Sequence, residues 1–130
     1  MIEVDIVTPT RRLVVGAKVS SLTLPGARGQ LQILPGHADL LTTLGVGVLA
    51  YAEDGAEKKF AISYGFAEVR HDKITVLAET CEPADEIDLE RAQKAQKKAQ
   101  EALVGQMSQE EFRKYQLKLE RALIRQQISL

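Results

Sequence analysis

Apolar and polar residues alternate through the first two thirds of the chain, and then the period changes. IEVDI places Ile2, Val4 and Ile6 on one face and Glu3 and Asp5 on the other. KFAISY repeats the pattern with Phe60, Ile62 and Tyr64, and KITVLAE with Ile74, Val76 and Ala78. Successive side chains of a strand point to opposite faces, so such runs predict half-buried strands. Between them lie TPTRR, LPGARG, LPGHAD, EDGAEK, SYG and RHDK, each with Pro, Gly or Asp where the chain can reverse. About eight to ten short strands with no helix between them predict an antiparallel sandwich or flattened barrel.

Past CEPADEID the spacing becomes helical. From Asp88 onward there is no proline, and Gly105 is the only glycine. Asp88 suits a helix N-cap, where its carboxylate accepts from backbone N–H groups. Ala92, Ala95, Ala99 and Ala102 recur at helical spacing on one narrow face. Gly105 is expected to end this helix in left-handed conformation. SQEE then reads as a capping box, Ser108 with Glu111, opening a second helix with a seam of Phe112, Tyr115, Leu119 and Ala122. A short link makes the two helices antiparallel neighbours. The expected class is therefore α+β in two parts: residues 1–86 as an antiparallel β-sandwich, residues 87–130 as an antiparallel helical hairpin. An alanine seam allows close approach but buries little area, at roughly 25 cal/mol per Å². Such a hairpin is marginal alone. It suits either a fixed appendage or a piece that opens and refolds against another surface.

Charge divides at the same place. Residues 1–87 hold 8 Lys/Arg against 12 Asp/Glu, a net of −4, while residues 88–130 hold 9 against 6, a net of +3. The whole-chain net charge of −1 argues against nucleic acid as the main partner. The chain has 130 residues, enough for one small core with an appendage. A single cysteine, Cys81, excludes an intramolecular disulfide and suits a reducing compartment. No Cys/His cluster has metal-ligand spacing, so no metal is expected. The N-terminal MIEVDIVTPTRR lacks the pattern of a signal peptide, and no run approaches the ~18 apolar residues of a membrane span. The expected setting is intracellular.

Candidate chemistry is sparse. His37 sits in a Pro-Gly turn, with Asp39 near in sequence but no nucleophile motif to complete a catalytic site. Beside the exposed-type residues Leu40, Leu41 and Leu44, it reads as part of a contact loop. Cys81 reads as a spectator thiol. QKAQKKAQE offers a basic helical face, solvated or directed at an acidic protein surface. The arginines are more pointed. If the hairpin folds about Gln106, Arg91 and Arg121 lie at equal helical height, and Arg125 is one turn beyond Arg121. Three converging guanidiniums fit either pairing with Glu82, Asp88, Glu90 and Glu120 or the forked binding of a phosphate ligand. No glycine-rich phosphate loop accompanies them, so any such site binds without hydrolysing.

Four segments carry a family resemblance: VTP at 7–9, GQLQILPGHADLLT at 29–42, GFAEVRHDKITVLAE at 65–79 and IDLERA at 87–92. Together they resemble the epsilon subunits of bacterial F-type ATP synthases over nearly the whole chain. The resemblance implies a ten-stranded N-terminal sandwich and a C-terminal helical hairpin. It implies a non-catalytic subunit of the central stalk, beside the gamma subunit and on the membrane c-ring, peripheral to the cytoplasmic face of the bacterial plasma membrane. It implies coupling of rotation to ATP synthesis in a proton- or sodium-translocating machine. Helices that extend into the catalytic alpha/beta head and inhibit ATP hydrolysis are also implied. Gln30, Leu31, Pro35, Gly36 and His37 then form the loop facing the c-ring. No cofactor is required, but ATP is implied as a regulatory ligand of some members, held by Glu82, Ile87, Asp88, Arg91, Lys98, Arg121 and Arg125. Lys98 stands where nucleotide-binding members carry an arginine, which turns a forked contact into a point charge. Gln30 and Gln32 stand where the family often has an acid and a glycine. The alternatives are a stand-alone nucleotide-sensing module without a motor role, and a small enzyme using His37 and Asp39.

Overall fold

The structure, a computed structural model, describes residues 1–104 and 108–129, the side chain of residue 129 excepted. Where the alternation is unbroken, the chain forms the strands it predicts. The strands are β1 (Ile2–Val7), β2 (Arg12–Val19), β3 (Leu22–Gly26), β4 (Gly29–Ile33), β5 (Leu40–Glu53), β6 (Ala56–Arg70) and β7 (Lys73–Pro83). β1 turns Ile2, Val4 and Ile6 inward, and β7 does the same with Ile74, Val76 and Ala78. All seven join in the order β2-β1-β7-β6-β5-β3-β4. The sheet is mixed where a wholly antiparallel one was expected, because β1 pairs with β7 in parallel. The β5–β6–β7 meander ends beside β1, whose other edge is taken by its hairpin partner β2. The last strand of the meander therefore closes on the free edge of the first, running the same way.

Seven strands, three of them long, make up the sandwich for which about eight to ten short ones were expected, and the reason is a shared crease. β5, β6 and β7 have 14, 15 and 11 residues, long enough for one strand to serve both layers of a sandwich. In each of them the buried positions change parity partway along. Leu44 is followed by Gly47, Leu49 and Tyr51 in β5; Phe60 and Ile62 by Ala67 and Val69 in β6; Ala78 by Cys81 in β7. These switches are neighbours in the sheet. Leu44, Gly65 and Ala78 form one paired row, and Val46, Ser63 and Thr80 form another. Between the rows sits Tyr64, with φ of +57°, followed by Gly65 at +145°. Positive φ at a tyrosine is uncommon, and here it turns the strand over. Tyr64, expected to face inward with Phe60 and Ile62, is consequently 41% exposed. Gly65 is required at the crease. A Cβ there would lie 2.0 Å from the Leu77 carbonyl oxygen and 2.8 Å from Ala78 Cα. The folded-over sheet encloses one core cluster of 19 buried residues running from Ile2 to Cys81, to which the helices contribute none. Cys81 lies inside it, and burial pushes its thiol up to about 12, so it stays protonated at neutral pH.

A single 3₁₀ turn at Ala84–Glu86 leads out of the sheet into α1 (Leu89–Leu103) and α2 (Gln109–Ser129). Both expected caps form. The Arg91 amide donates to Asp88 Oδ1 at 3.1 Å, and the Glu111 amide to Ser108 Oγ at 3.2 Å. The predicted stop at Gly105 and turn at Gln106 lie outside the described residues. α2 packs on β5 and β6, and α1 packs chiefly on α2. The buried apolar residues of the two helices are Ala92, Ala99, Ala122 and Ile128. Three alanines and an isoleucine remove little area from water, as the alanine pattern implies. Phe112 leaves the expected seam and is 45% exposed, since Gln109–Lys114 are exposed on every side. Among the described residues no helix is long and apolar enough to cross a membrane.

Replacing Gly65 by alanine should destabilise the sandwich by about 3 kcal/mol or more, because backbone must move and the φ is strained. A fall in the urea unfolding midpoint measures this. An unchanged midpoint would mean that the crease tolerates a side chain.

Candidate functional site

The hairpin meets the sandwich at the crease. Arg121 and Arg125, one helical turn apart, both reach across to the sheet. Arg121 Nε donates to Ser63 Oγ at 2.7 Å, and Ser63 is the one buried polar residue of the described chain. Arg125 donates to Glu82 Oε1 through Nε at 2.9 Å and also through Nη2. Ile124 lies between the two arginines, and with them it closes a gap lined by Val46, Ile62 and Thr80. Further out, Arg11 spans to Glu86 with Nη2 2.5 Å and Nη1 3.3 Å from the two carboxylate oxygens. The guanidinium holds the Glu86 carboxyl below the usual carboxylate range. That pair ties the exit turn to the β1–β2 loop, but it is half exposed and contributes little.

Two clefts are lined by α1 together with α2. One, of about 320 Å³, lies at its root and is lined by Glu82, Glu86, Asp88, Arg91 and Arg125. The other, of about 250 Å³, lies between the helices and is lined by Lys98, Tyr115, Lys118, Arg121 and Arg125. Arg125 and Ala95 line both, so the clefts adjoin. The root cleft mixes three acids with two arginines. The interhelical cleft carries four cations and no carboxylate in its lining.

The sequence-predicted residues divide accordingly. Glu82, Asp88, Arg91 and Arg125 come together at the root; Lys98, Arg121 and Arg125 come together between the helices. Ile87 lines neither cleft, and its amide donates to the Ala84 carbonyl at 3.3 Å within the exit turn. Arg91 and Arg121 do not share a cleft, because the hairpin register is not centred on Gln106. Gln126 Nε2 donates to Gln96 Oε1, whereas a turn about Gln106 would set Gln96 against Gln116. Arg125 pairs with a carboxylate, as one reading of the arginines expects, while Arg91 has no salt bridge among the described residues. Ser63, Tyr115 and Lys118 were not singled out beforehand as site residues. A serine interrupting the apolar run FAISY just before a glycine was the available signal for the first. For Lys118 no signal was available, since its place depends on the hairpin register.

The loop residues fall on two pieces. Gln30 and Leu31 belong to β4, Gln30 exposed and Leu31 packed against the core; Pro35, Gly36 and His37 lie in the β4–β5 connection. That connection is tied to the β6–β7 turn, where the Gly36 amide donates to Asp72 Oδ1 at 2.7 Å and the His71 amide to Asp39 Oδ1 at 3.3 Å. His37 Nδ1–H donates to the Ala38 carbonyl at 2.6 Å. His37 and Asp39 thus bond to different backbone groups and form no acid–base dyad. Among the described residues no group of three His, Cys, Asp or Glu side chains could hold a metal ion.

Comparison with known proteins agrees with this layout in both parts. Residues 1–84 match the family model described as ATP synthase, Delta/Epsilon chain, beta-sandwich domain, and residues 85–129 match the long alpha-helix domain of the same chain. The ATP synthase epsilon chain of Geotalea uraniireducens is 48% identical over 130 residues, covering 98% of this chain and 93% of that one. The epsilon chain of Geobacter sulfurreducens is 45% identical over 130 residues, covering 98% and 93%. Among solved structures, a chain of the Euglena gracilis mitochondrial ATP synthase superposes with a TM-score of 0.82 at 22% identity, covering 92% of this chain and 75% of that one. A chain from the central stalk and c-ring of the Tetrahymena thermophila mitochondrial enzyme gives 0.73 at 12% identity, covering 99% and 96%. These two show the likeness of fold. Sandwich, helical hairpin and near-full-length identity to bacterial relatives together place the chain in the delta/epsilon family of ATP synthases, as an epsilon chain.

Proposed function

We propose that this epsilon chain works in the central stalk, with the sandwich as its fixed body and the hairpin as a nucleotide-biased brake on ATP hydrolysis. The sandwich grips the gamma subunit and rests on the c-ring, through the region of Gln30, Leu31, Pro35, Gly36 and His37. The hairpin has two resting places, one folded on the body and one extended into the alpha/beta head. In that setting the protein is peripheral to the cytoplasmic face of the membrane and catalyses nothing itself.

The observation that carries this is the contrast in attachment. The body closes a core of 19 residues on itself, while among the described residues the hairpin meets it through the polar contacts of Arg121 and Arg125 and a thin apolar seam. Contacts of this kind are worth about 1–3 kcal/mol each, a scale on which a ligand or partner surface can decide the balance. The ligand proposed is ATP. Root-cleft acids Glu82 and Asp88 can accept from ribose hydroxyls or a base amino group, while Arg91, Lys98, Arg121 and Arg125 can bind phosphate oxygens. Bound across both helices, ATP would favour the folded arrangement by its differential affinity for it.

Calorimetry on the full chain should register ATP binding, and Arg91→Ala should weaken it about tenfold, the equivalent of one charge-assisted contact. No heat with millimolar ATP would remove the nucleotide from the mechanism. Ser63→Ala should speed hydrogen exchange in α2 by roughly five- to tenfold, since a contact worth about 1 kcal/mol is lost, and leave the β7 amides unchanged. Equal exchange in α2 would mean that the serine does not hold it. Truncation after Glu86 leaves the whole core cluster in place, so the shortened chain should still bind gamma while ATP hydrolysis by the assembled complex rises. Loss of gamma binding would refute the division of labour.

A further inference from the structure

A third cleft, of about 700 Å³, opens on the sandwich and shares only Glu86 with the two at the hairpin. Residues 11–17, 57–60 and 83–86 line it without a gap. Side chains of a strand alternate between faces, so a cleft on a sheet face meets every second residue. One that meets each residue in turn lies along strand edges. The pairing agrees. β2 ends the sheet and, among the described residues, pairs with β1 alone. In β6, pairing with β7 begins where Phe60 faces Pro83, so residues 56–59 pair only with β5. Pro83 has no N–H to donate, and after it the chain leaves the sheet as the turn Ala84–Glu86. Two lengths of strand edge without ladder partners therefore border the cleft. Its apolar lining includes Tyr51 and Phe60, both 6% exposed and stacked with ring centres 5.9 Å apart, and Leu13 and Val14, which pack on the core. Arg12, Lys58 and Lys59 add three cations, and Glu53, Glu57 and Asp85 three carboxylates, none of them in a salt bridge among the described residues.

We propose that this cleft is a docking groove for an extended segment of a partner protein, which adds to β2 as a further strand and lays an apolar side chain on Tyr51 and Phe60. Unpaired edge groups match a ligand that brings N–H and C=O in alternation every ~3.3 Å, which a polypeptide backbone does and a nucleotide or lipid does not. The charges select further. A polyanion would meet three carboxylates and a polycation three cations, whereas a segment with both signs can pair with each. The segment is thus about five or six residues long, apolar at its centre and charged with both signs around it. A second copy of the chain fits less well. The β1–β2 register shifts between Val4 and Ile6 and again between Ile6 and Val7, and bulges of this kind guard an edge against pairing with another sheet. A single flexible strand can follow the bend. Ala84–Glu86 form one wall, so the docked strand lies against the turn from which the hairpin departs. Neither bound nucleotide nor movement of the hairpin is required for docking.

The test is residue-resolved hydrogen exchange on the full chain with two capped peptides at millimolar concentration, KVEFKVE and its charge-swapped form EVKFEVK. At least one should slow exchange of the β2 amides by roughly tenfold at saturation and leave β4, the other terminal strand of the sheet, unchanged. The fully N-methylated form of the active peptide keeps the side chains but has no donors, and should slow nothing. No slowing by either peptide, equal slowing by the N-methylated form, or equal slowing in β4 would each overturn the docking groove. Protection of β2 that needs no peptide and grows with protein concentration would put a second copy in the groove and overturn the partner segment.

Discussion

Gly65 passes so close to the carbonyl of Leu77 that no side chain fits between them, and much of the architecture follows from that approach. It lets β6 invert its faces within two residues. β5 and β7 invert beside it, so one sheet can fold over and bury its apolar side against itself. Two residues before the glycine, Ser63 lies on the side of β6 that meets α2 and is buried there. A buried hydroxyl needs a partner, and Arg121 of α2 supplies it. The crease that closes the core thus borders the seat on which the hairpin rests.

The two parts are held by different physics. The sandwich relies on apolar area, which is non-directional and not readily exchanged for another arrangement. The hairpin relies on a few directional contacts between charged and polar groups, with alanines along its seam. Such contacts exchange readily for equivalents on another surface, since an arginine released from Glu82 finds another carboxylate, or water, at small net cost.

Much of this was legible in the sequence wherever a single period governed a segment. Ile2, Val4 and Ile6 face inward as alternation requires, and Asp88 and Ser108 cap their helices as their positions require. Tyr64 was misread because alternation was extended through a residue whose φ is positive, and the following glycine was taken only as a turn signal. The parallel β1–β7 pairing was hidden for another reason, since sequence neighbours say nothing about which distant edges meet. In the site, residue types were legible and their grouping was not. Arg91, Arg121 and Arg125 were expected to converge, on carboxylates or on a phosphate, but which of them share a cleft depends on hairpin register. Register depends on where helices begin and how they slide, and an alanine seam with a repeating face encodes that weakly.

The lone thiol of Cys81 is buried in the core, and burial favours its protonated form, so the folded protein disfavours reaction with sulfhydryl reagents. A fluorophore or spin label placed on an introduced surface cysteine would therefore report from that position alone, with the native residue left untouched. Distances between such a probe on α2 and one on a neighbouring subunit would follow the hairpin during turnover in the unmodified sandwich.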